Sequence, residues 1–386
     1  VPLALATLVA VDGSSYRQPG ARLLVDGDGR ILAGAISGGC LEGDVAARAV
    51  AVCRDARATR LMYDLRADLE AIWGFGAACD GVAHILLEPL ADWRWLCQAD
   101  AISRRRTGGA VVTLLDEHAG ATCAVLDGAP RHGRWQFPAS EAWPVDAAEL
   151  VPLADAASQT ALPVLHELPD GRRVAFVDPL TPPVALHLVG AGRGAEAFAV
   201  IAQTLGWSVS VLDHRPAMLD GLVLPPGVTT HAVRGVDGVA EALALLPHDS
   251  RTAVALLSHV FDVDAAWLAA VLPLPVGYVG VLGSRSRGQQ LMESVEATLA
   301  ERGTPLTPRL RQKLHAPIGL DLGGESPASI ALAAIAEIEA TLNGRPGGSL
   351  RERQSPIHTR TPTPRLIERL PATPPAPLSC DLPPAE

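Results

Sequence analysis

The chain has 386 residues, 48% of them hydrophobic, and a formal net charge of −10. That length supports two or three domains, each with a core of its own. A net acidic chain is not drawn as a whole to phosphate backbones or anionic lipid, which argues against nucleic acid and membrane surfaces as partners. Only 4% of the residues are aromatic, a mix that suits packed α/β layers better than an aromatic-rich sandwich. The six cysteines (Cys40, Cys53, Cys79, Cys97, Cys123 and Cys380) are scattered without a CxxC pair. This spacing disfavours a disulfide framework or a structural zinc site and predicts free thiols in a reducing, cytoplasmic setting.

From the beginning of the chain, LALATLVAV reads as a buried strand rather than a signal peptide, because no basic segment precedes it. No Met begins the chain, so the natural N-terminus is expected upstream. ARLLV and ILAGAI flank a DGDG turn, a hairpin signal. Glu42 to Arg54 carries helical spacing of Val45, Ala49 and Val52, and VAHILLEPL reads as another strand. Residues 1–95 therefore predict an α+β domain. Three Gly-rich loops interrupt it: GSSYRQPG, SGGCLE around Cys40, and GFGAACDG around Cys79. Such loops allow close backbone approach to a ligand. A thiolate in one of them is either a soft ligand or sulfur carrier, or a small buried hydrophobe.

Residues 96–182 are less regular and predict a connecting or sheet-completing segment, with a hairpin in GAVVTLLDEHAGATCAVLDG and a strand in RRVAFVDPL. Residues 183–343 alternate apolar strands with helices. PVALHLVGAG, WSVSVLDHR, TAVALLSH and VGYVGVLGS are strands of the type found in a parallel sheet covered on both faces. Residues 344–386, rich in Pro, Arg and Thr, predict a disordered tail. The expected architecture is α/β: an N-terminal α+β domain followed by a Rossmann-like, doubly wound parallel-sheet domain.

Within that second domain, Gly190-Ala-Gly192-Arg-Gly194-Ala195 follows a strand and opens a helix. Gly190 permits a tight turn, and Gly192 lets the backbone approach a phosphate at the helix N-terminus. The alternative is a Gly turn that only packs helix on strand. Asp213 ends the next strand, where it either accepts a ribose or is a plain strand-end carboxylate. Ser258 and His259 end another strand, with Asp262 close behind; His259 is a proton donor, a ligand, or a histidine satisfied by backbone. Gly283, Ser284, Arg285, Ser286 and Arg287 form either an oxyanion cradle before a helix or a solvated charged start. Finally, HAPIGLDLGGESP holds His315, Asp321 and Glu325 ahead of a Ser326–Pro327 helix start.

Taken in order, GSSYRQPGARLLV, ISGGCLEGDV, the Tyr63-Asp64 pair, GFGAACDG and LLEPL, then LHLVGAGRGAEA, LGWSVSVLDHRP, LLSHVFDVD, YVGVLGSRSR, LHAPIGLDLGGESPASIALAAIAEI and SPIH resemble the xanthine dehydrogenase accessory factor (XdhC/CoxI) family. The resemblance runs over residues 1–95 and 184–358. The chain departs from it at Arg193, where the family usually has His, and at Ala78-Cys79-Asp80-Gly81, where Gly-Cys-Asn-Gly is frequent.

The resemblance implies a chaperone of molybdenum cofactor (molybdopterin), not a subunit of the finished enzyme. Such a protein supports sulfuration of the cofactor, with a cysteine desulfurase as sulfur donor. It then delivers the cofactor to a molybdenum hydroxylase client, xanthine dehydrogenase-like or CO dehydrogenase-like. On that basis Gly190, Gly192, Asp213, Ser258, His259, Gly283, Ser284, Arg285 and Arg287 are expected to contact cofactor. Cys79 and Cys40 are expected at molybdenum or sulfur, and Cys79, Cys40 and His259 are the candidates for chemistry. A homodimer is the expected assembly. Two other readings stay open on the residues alone. One is an NAD(P)-dependent oxidoreductase, for which the Gly turn would hold a nucleotide. The other is a non-catalytic interaction module with a vestigial Rossmann fold.

Overall fold

The computed structural model describes residues 1–65, 81–128 and 145–354, together with 364, 367 and 370–373. It divides into two compact units, Val1–Pro182 with Arg353–Glu386, and Pro183–Glu352.

The first unit opens with β1 (Leu3–Gly13), β2 (Arg22–Asp26) and β3 (Ile31–Gly34), then α1 (Glu42–Asp55), β4 (Thr59–Asp64) and β5 (Gly81–Pro89). The strands form an antiparallel sheet in the order β3-β2-β1-β5-β4. The β2–β3 hairpin anticipated from DGDG is present. Asp26 makes its turn, the Oδ1 accepting from Asp28 N at 3.0 Å and Arg30 N at 2.9 Å. Alternate residues of β1 and β5 (Ala4, Ala6, Leu8, Ala83, Ile85 and Leu87) pack beneath α1 against Val45 and Ala49.

Next come α2 (Arg94–Arg105), β6 (Gly109–Leu115), β7 (Ala121–Asp127), α3 (Ala147–Thr160), β8 (Val164–Glu167) and β9 (Val174–Leu180). Here the structure differs from the expectation of a connecting or sheet-completing segment. These strands make a second antiparallel sheet of their own, β7-β6-β9-β8. Val9, Ala10 and Leu86 of the first sheet meet Leu115, Val174 and Phe176 of the second in one apolar cluster. The first sheet is therefore covered on both faces, by α1 and by the second sheet. Of the expected tail, residues 344–354, 364, 367 and 370–373 are described, and Ile367 and Leu370 are buried in that same cluster.

The second unit contains β10 (Ala185–Val189), α4 (Arg193–Thr204), β11 (Ser208–Asp213), α5 (Pro216–Asp220), β12 (Thr229–Ala232), α6 (Val239–Ala244), β13 (Thr252–Leu256), α7 (Phe261–Val271), β14 (Tyr278–Val281), α8 (Arg285–Glu301), α9 (Pro308–Arg311), β15 (Leu314–His315) and α10 (Pro327–Leu342). All six strands are parallel, ordered β12-β11-β10-β13-β14-β15. Relabelled from the first strand, this is 3-2-1-4-5-6, the Rossmann order with its switch point between β10 and β13. One face packs under α4 and α10 through Leu186, Leu188, Phe198, Ala334 and Ile338. The other packs under α7 and α8 through Leu256, Trp267, Leu291 and Val295. The short, mostly exposed β12 escaped sequence reading because TTHA has neither an apolar run nor alternation. Among the described residues no helix is long and apolar enough to cross a membrane.

Candidate functional site at the carboxyl edge of the parallel sheet

In an open parallel sheet ligands bind beyond the carboxyl ends of the strands, at the switch point. Here three loops meet that edge, after β10, β13 and β14. Each leads into a helix N-terminus, those of α4, α7 and α8.

Gly190 ends β10 at φ 121°, and a Cβ placed there would lie 2.6–2.7 Å from the Leu257 carbonyl group and Ser258 N. The glycine is needed because the two neighbouring strand ends touch through their backbones. Gly192 is different: it caps α4 at φ −80°, and a Cβ there would meet nothing within 4 Å. Its missing side chain leaves free space directly above the helix N-terminus, where backbone N–H groups and the helix dipole favour an anion. Arg193, the departure from the resembled motif, is exposed at the first helical position.

Asp213 is buried at the end of β11. Its Oδ2 accepts from Ala191 N at 2.7 Å, inside the Gly turn, and its Oδ1 accepts from Arg215 N at 2.8 Å. The Arg215 guanidinium closes a bidentate pair at 2.9 Å on both oxygens. Burial alone would raise the Asp213 carboxyl. The Arg215 side chain and the two backbone N–H groups outweigh burial and hold it below the usual carboxylate range. Of the two readings kept for Asp213, the geometry favours the strand-end carboxylate: its oxygens already brace the Gly turn.

Past β13, Ser258 is buried, with its Oγ donating to Asp264 Oδ1 at 2.5 Å and accepting from Val260 N at 3.2 Å. Asp264, fully buried on α7, also receives Arg287 Nη2 at 2.7 Å. Asp262, the acid nearer His259 in the sequence, is exposed, and the buried acid is Asp264. The signal for it was available, since Asp264 occupies the inward face of α7 three residues before the buried Trp267. Arg287 lies 5.9 Å over the Phe261 ring, and its Nε is buried without a hydrogen-bond partner. Ser258, Asp264 and Arg287 thus form one network joining β13, α7 and α8.

Ser284 caps α8, accepting from Arg287 N at 3.2 Å, and its hydroxyl lies 2.9 Å from that of Ser286. Gly283, at φ 150°, passes so close to Arg287 that a Cβ would lie 2.9 Å from its Cδ. Arg285 is exposed. His259 is exposed as well, and it adopts φ 62°. A left-handed non-Gly residue stores strain, and such residues cluster at functional sites. Between Gly190, Asp213, His214, Ser258 and Trp267 the crevice narrows to about 10 Å³, room for about one water.

Farther along the edge, Ser326 caps α10 as expected, accepting from Ser329 N at 3.1 Å. Asp321 and Glu325 are exposed. His315 stacks on Tyr278 with ring centres 4.3 Å apart and pairs through Nδ1 with Glu337 Oε1 at 3.1 Å. Glu337 Oε2 also accepts from Tyr278 Oη and Gly319 N, at 2.5 and 2.8 Å.

In the first unit, Cys40 lies half-buried in the turn before α1, at the margin of the core under that helix. Glu42 shapes the turn. Its carboxylate accepts from Ile36 N at 3.1 Å, Ser37 N at 2.7 Å and Ser37 Oγ. Burial would raise its carboxyl, but the Ser37 and Ile36 donors hold it below its ordinary value. Tyr63 is accounted for by structure: its hydroxyl donates to Asp44 Oδ2 at 2.6 Å, which also receives Arg48 Nε. Cys79, with the GFGAACDG loop, and Cys380 lie outside the described residues. Among the described residues no three His, Cys, Asp or Glu side chains converge as a metal-holding group.

Comparison with known proteins places these features among relatives. The family model described as XdhC Rossmann domain matches residues 186–338, and that of the XdhC and CoxI family matches residues 1–64. A Bacillus subtilis (strain 168) protein named as a probable xanthine dehydrogenase subunit is 29% identical over 339 residues, 87% of this chain and 92% of that protein. An uncharacterized protein, YqeB, of Escherichia coli (strain K12) is 30% identical over 171 residues, 44% of this chain and 30% of that protein. The crystal structure of a xanthine dehydrogenase from Bacillus halodurans superposes with a TM-score of 0.67 at 24% identity, covering 90% of this chain and 94% of that one. This last likeness bears on the fold.

Proposed function

This chain belongs to the XdhC and CoxI family, and we propose that it is a maturation factor that binds molybdenum cofactor and serves a xanthine dehydrogenase-like molybdenum hydroxylase. The observation that carries the reading is the carboxyl edge of the parallel sheet, where the N-termini of α4 and α8 open beside Gly192, Ser284 and the exposed Arg193 and Arg285. That donor set suits the phosphate of a molybdopterin. Gly192 leaves room for it, Arg193 and Arg285 supply charge, and the Ser258–Asp264–Arg287 network holds the loops in place. The cofactor, when bound, supplies the molybdenum whose oxo ligand is exchanged for a sulfido ligand. Cys79 and Cys40 are the thiols assigned to sulfur or metal handling, with a cysteine desulfurase as donor and the hydroxylase as recipient.

The oxidoreductase reading is weakened by Asp213. The carboxylate that would accept a ribose is occupied by Ala191 N and Arg215. A third reading, a permanent component of a xanthine dehydrogenase, is favoured by the name of the Bacillus subtilis relative.

Anaerobic titration with molybdenum cofactor, with NADPH as competitor, tests the proposal. Near-stoichiometric molybdenum and pterin are expected, with binding weakened in Arg285→Ala and metal retention or sulfuration reduced in Cys79→Ala and Cys40→Ala. Tight NADPH binding without cofactor binding would overturn it. Purification of active client with this chain in constant stoichiometry would favour the permanent-component reading.

A further inference from the structure

Asp213 ends β11, the strand beside β10, where a nucleotide-binding sheet of this order keeps its ribose-accepting carboxylate. Its side chain is fully buried. Oδ1 accepts from Arg215 N at 2.8 Å and from Arg215 Nε at 2.9 Å. Oδ2 accepts from Ala191 N at 2.7 Å and from Arg215 Nη2 at 2.9 Å. An ionised carboxylate offers about four acceptor sites, so these donors fill it, and no ribose hydroxyl can bind unless one of them leaves.

The donors differ in how firmly they are held. Ala191 N belongs to the buried Gly turn. The Arg215 side chain is 44% exposed, and Asp213 is its hydrogen-bonding partner among the described residues. The guanidinium therefore covers the carboxylate from the solvent side, at the crevice lined by Gly190, Asp213, His214 and Gly235. It stands where the two hydroxyls of a ribose would donate. Neutral hydroxyls do not displace a charge-assisted, bidentate pair without loss. A phosphate ester held at the α4 and α8 N-termini asks nothing of Asp213.

Resting on the reading of this edge as the cofactor site, we propose that Arg215 is its specificity-determining residue. By filling Asp213 it excludes ligands that present a free ribose diol, nicotinamide nucleotides among them. The edge is left to a phosphate ester that places no ribose at β11.

Nicotinamide fluorescence tests this, with NADH and NADPH titrated into the full chain and into its Arg215→Ala and Arg215→Met variants. The parent is expected to bind NADH weakly. Either variant should bind it about tenfold or more tightly. NADPH should gain less, because its ribose phosphate meets the uncovered carboxylate. Adding Asp213→Ala to Arg215→Ala should abolish the gain. NADH affinity within about threefold of the parent in both variants overturns the proposal. Tight NADH binding by the parent overturns it whether or not the variants fold, and tight NADPH binding by the parent would make Arg215 a phosphate receptor instead. Molybdenum cofactor is titrated in parallel. Cofactor binding by the parent without a gain of NADH affinity in the variants removes the role of Arg215 and leaves the proposed function standing. A gain without cofactor binding does the reverse.

Discussion

In the second unit polar side chains gather at the carboxyl edge of a largely apolar parallel sheet, where Asp213 braces the Gly turn with Arg215, and Ser258, Asp264 and Arg287 brace one another. In the first unit they lie within the sheet faces: Thr7, Arg22, Arg60, His84 and Glu88 point from strands whose two sides are both covered. The difference follows from topology. Parallel strands are joined by helices that cover both faces, so their interiors are apolar and function moves to the ends. An antiparallel sheet ordinarily leaves one face wet, and its sequence alternates accordingly. Here a second sheet closes over that face, so side chains suited to water become internal and need partners. Arg22 finds Asp178 at 2.6 Å, and Glu88 accepts from Thr122 N and Oγ1 at 2.9 and 2.7 Å.

The largest expected effects probe the backbone contact at the switch point. Gly190→Ala must place a Cβ against the Leu257 carbonyl in a left-handed conformation. It should cost about 3 kcal/mol or more in urea unfolding of the second unit. Gly192→Ala, two residues on, should stay within about 0.5 kcal/mol and instead weaken binding of the phosphate-bearing cofactor proposed above. Equal losses would show that the turn is packing alone.

Next in size are the ionic groups of each unit. Arg287→Ala leaves Asp264 fully buried with Ser258 as its remaining partner and should cost roughly 2–4 kcal/mol. Arg22→Leu leaves Asp178 without its cation and, since Arg22 is partly exposed, should cost about 2 kcal/mol. Denaturant midpoints of each unit, followed by hydrogen exchange, give the ranking. A reversed order would mean that solvent reaches Asp264 more readily than Asp178.

A smaller and sharper contrast is the sign of the pH dependence. Burial raises Glu88 above its usual value despite the Thr122 donors. Its folded form holds the proton longer than the unfolded chain, so its contribution is present below the unfolded value near about 4.3 and is lost as pH rises through the folded one. Asp213 is lowered. Its contribution is present above the unfolded value near about 3.9 and is lost as pH falls through the folded one. Glu88→Gln should therefore flatten the first unit's loss on raising pH, and Asp213→Asn the second unit's loss on acidification. Unit-resolved denaturant unfolding above about pH 4.3 reads the first, and below about pH 3.9 the second. Smallest of all, Asp321→Asn and Glu325→Gln alter exposed carboxylates and should change stability by less than about 0.5 kcal/mol.

Much of the second unit was readable from the chain. Apolar runs ending in polar residues marked β10, β11, β13 and β14, and the Ser326–Pro327 pair marked the start of α10. The residues around the switch point were also named, but their duties were not. For Asp213 the sequence leaves a ribose acceptor and a strand-end carboxylate open, and only the structure places Ala191 N and Arg215 on its oxygens. For Gly190 the sequence offers a tight turn, and only the structure shows its close approach to Leu257. Asp264 was missed because an acidic residue in the first turn of a helix is ordinarily a solvated one.

By itself the sequence determined the periodicities, hence the strands, the helices and their caps, because these depend on neighbours a few residues apart. It also determined which residues reach the carboxyl edge, because loops after parallel strands must emerge there. Only the tertiary structure decided that residues 96–182 build a separate sheet, that this sheet closes over the first, and that Ile367 and Leu370 enter the cluster between the two. Those outcomes depend on which faces meet across distances of up to hundreds of residues. Alternation along a strand records that it has two faces, and it does not record what comes to cover them.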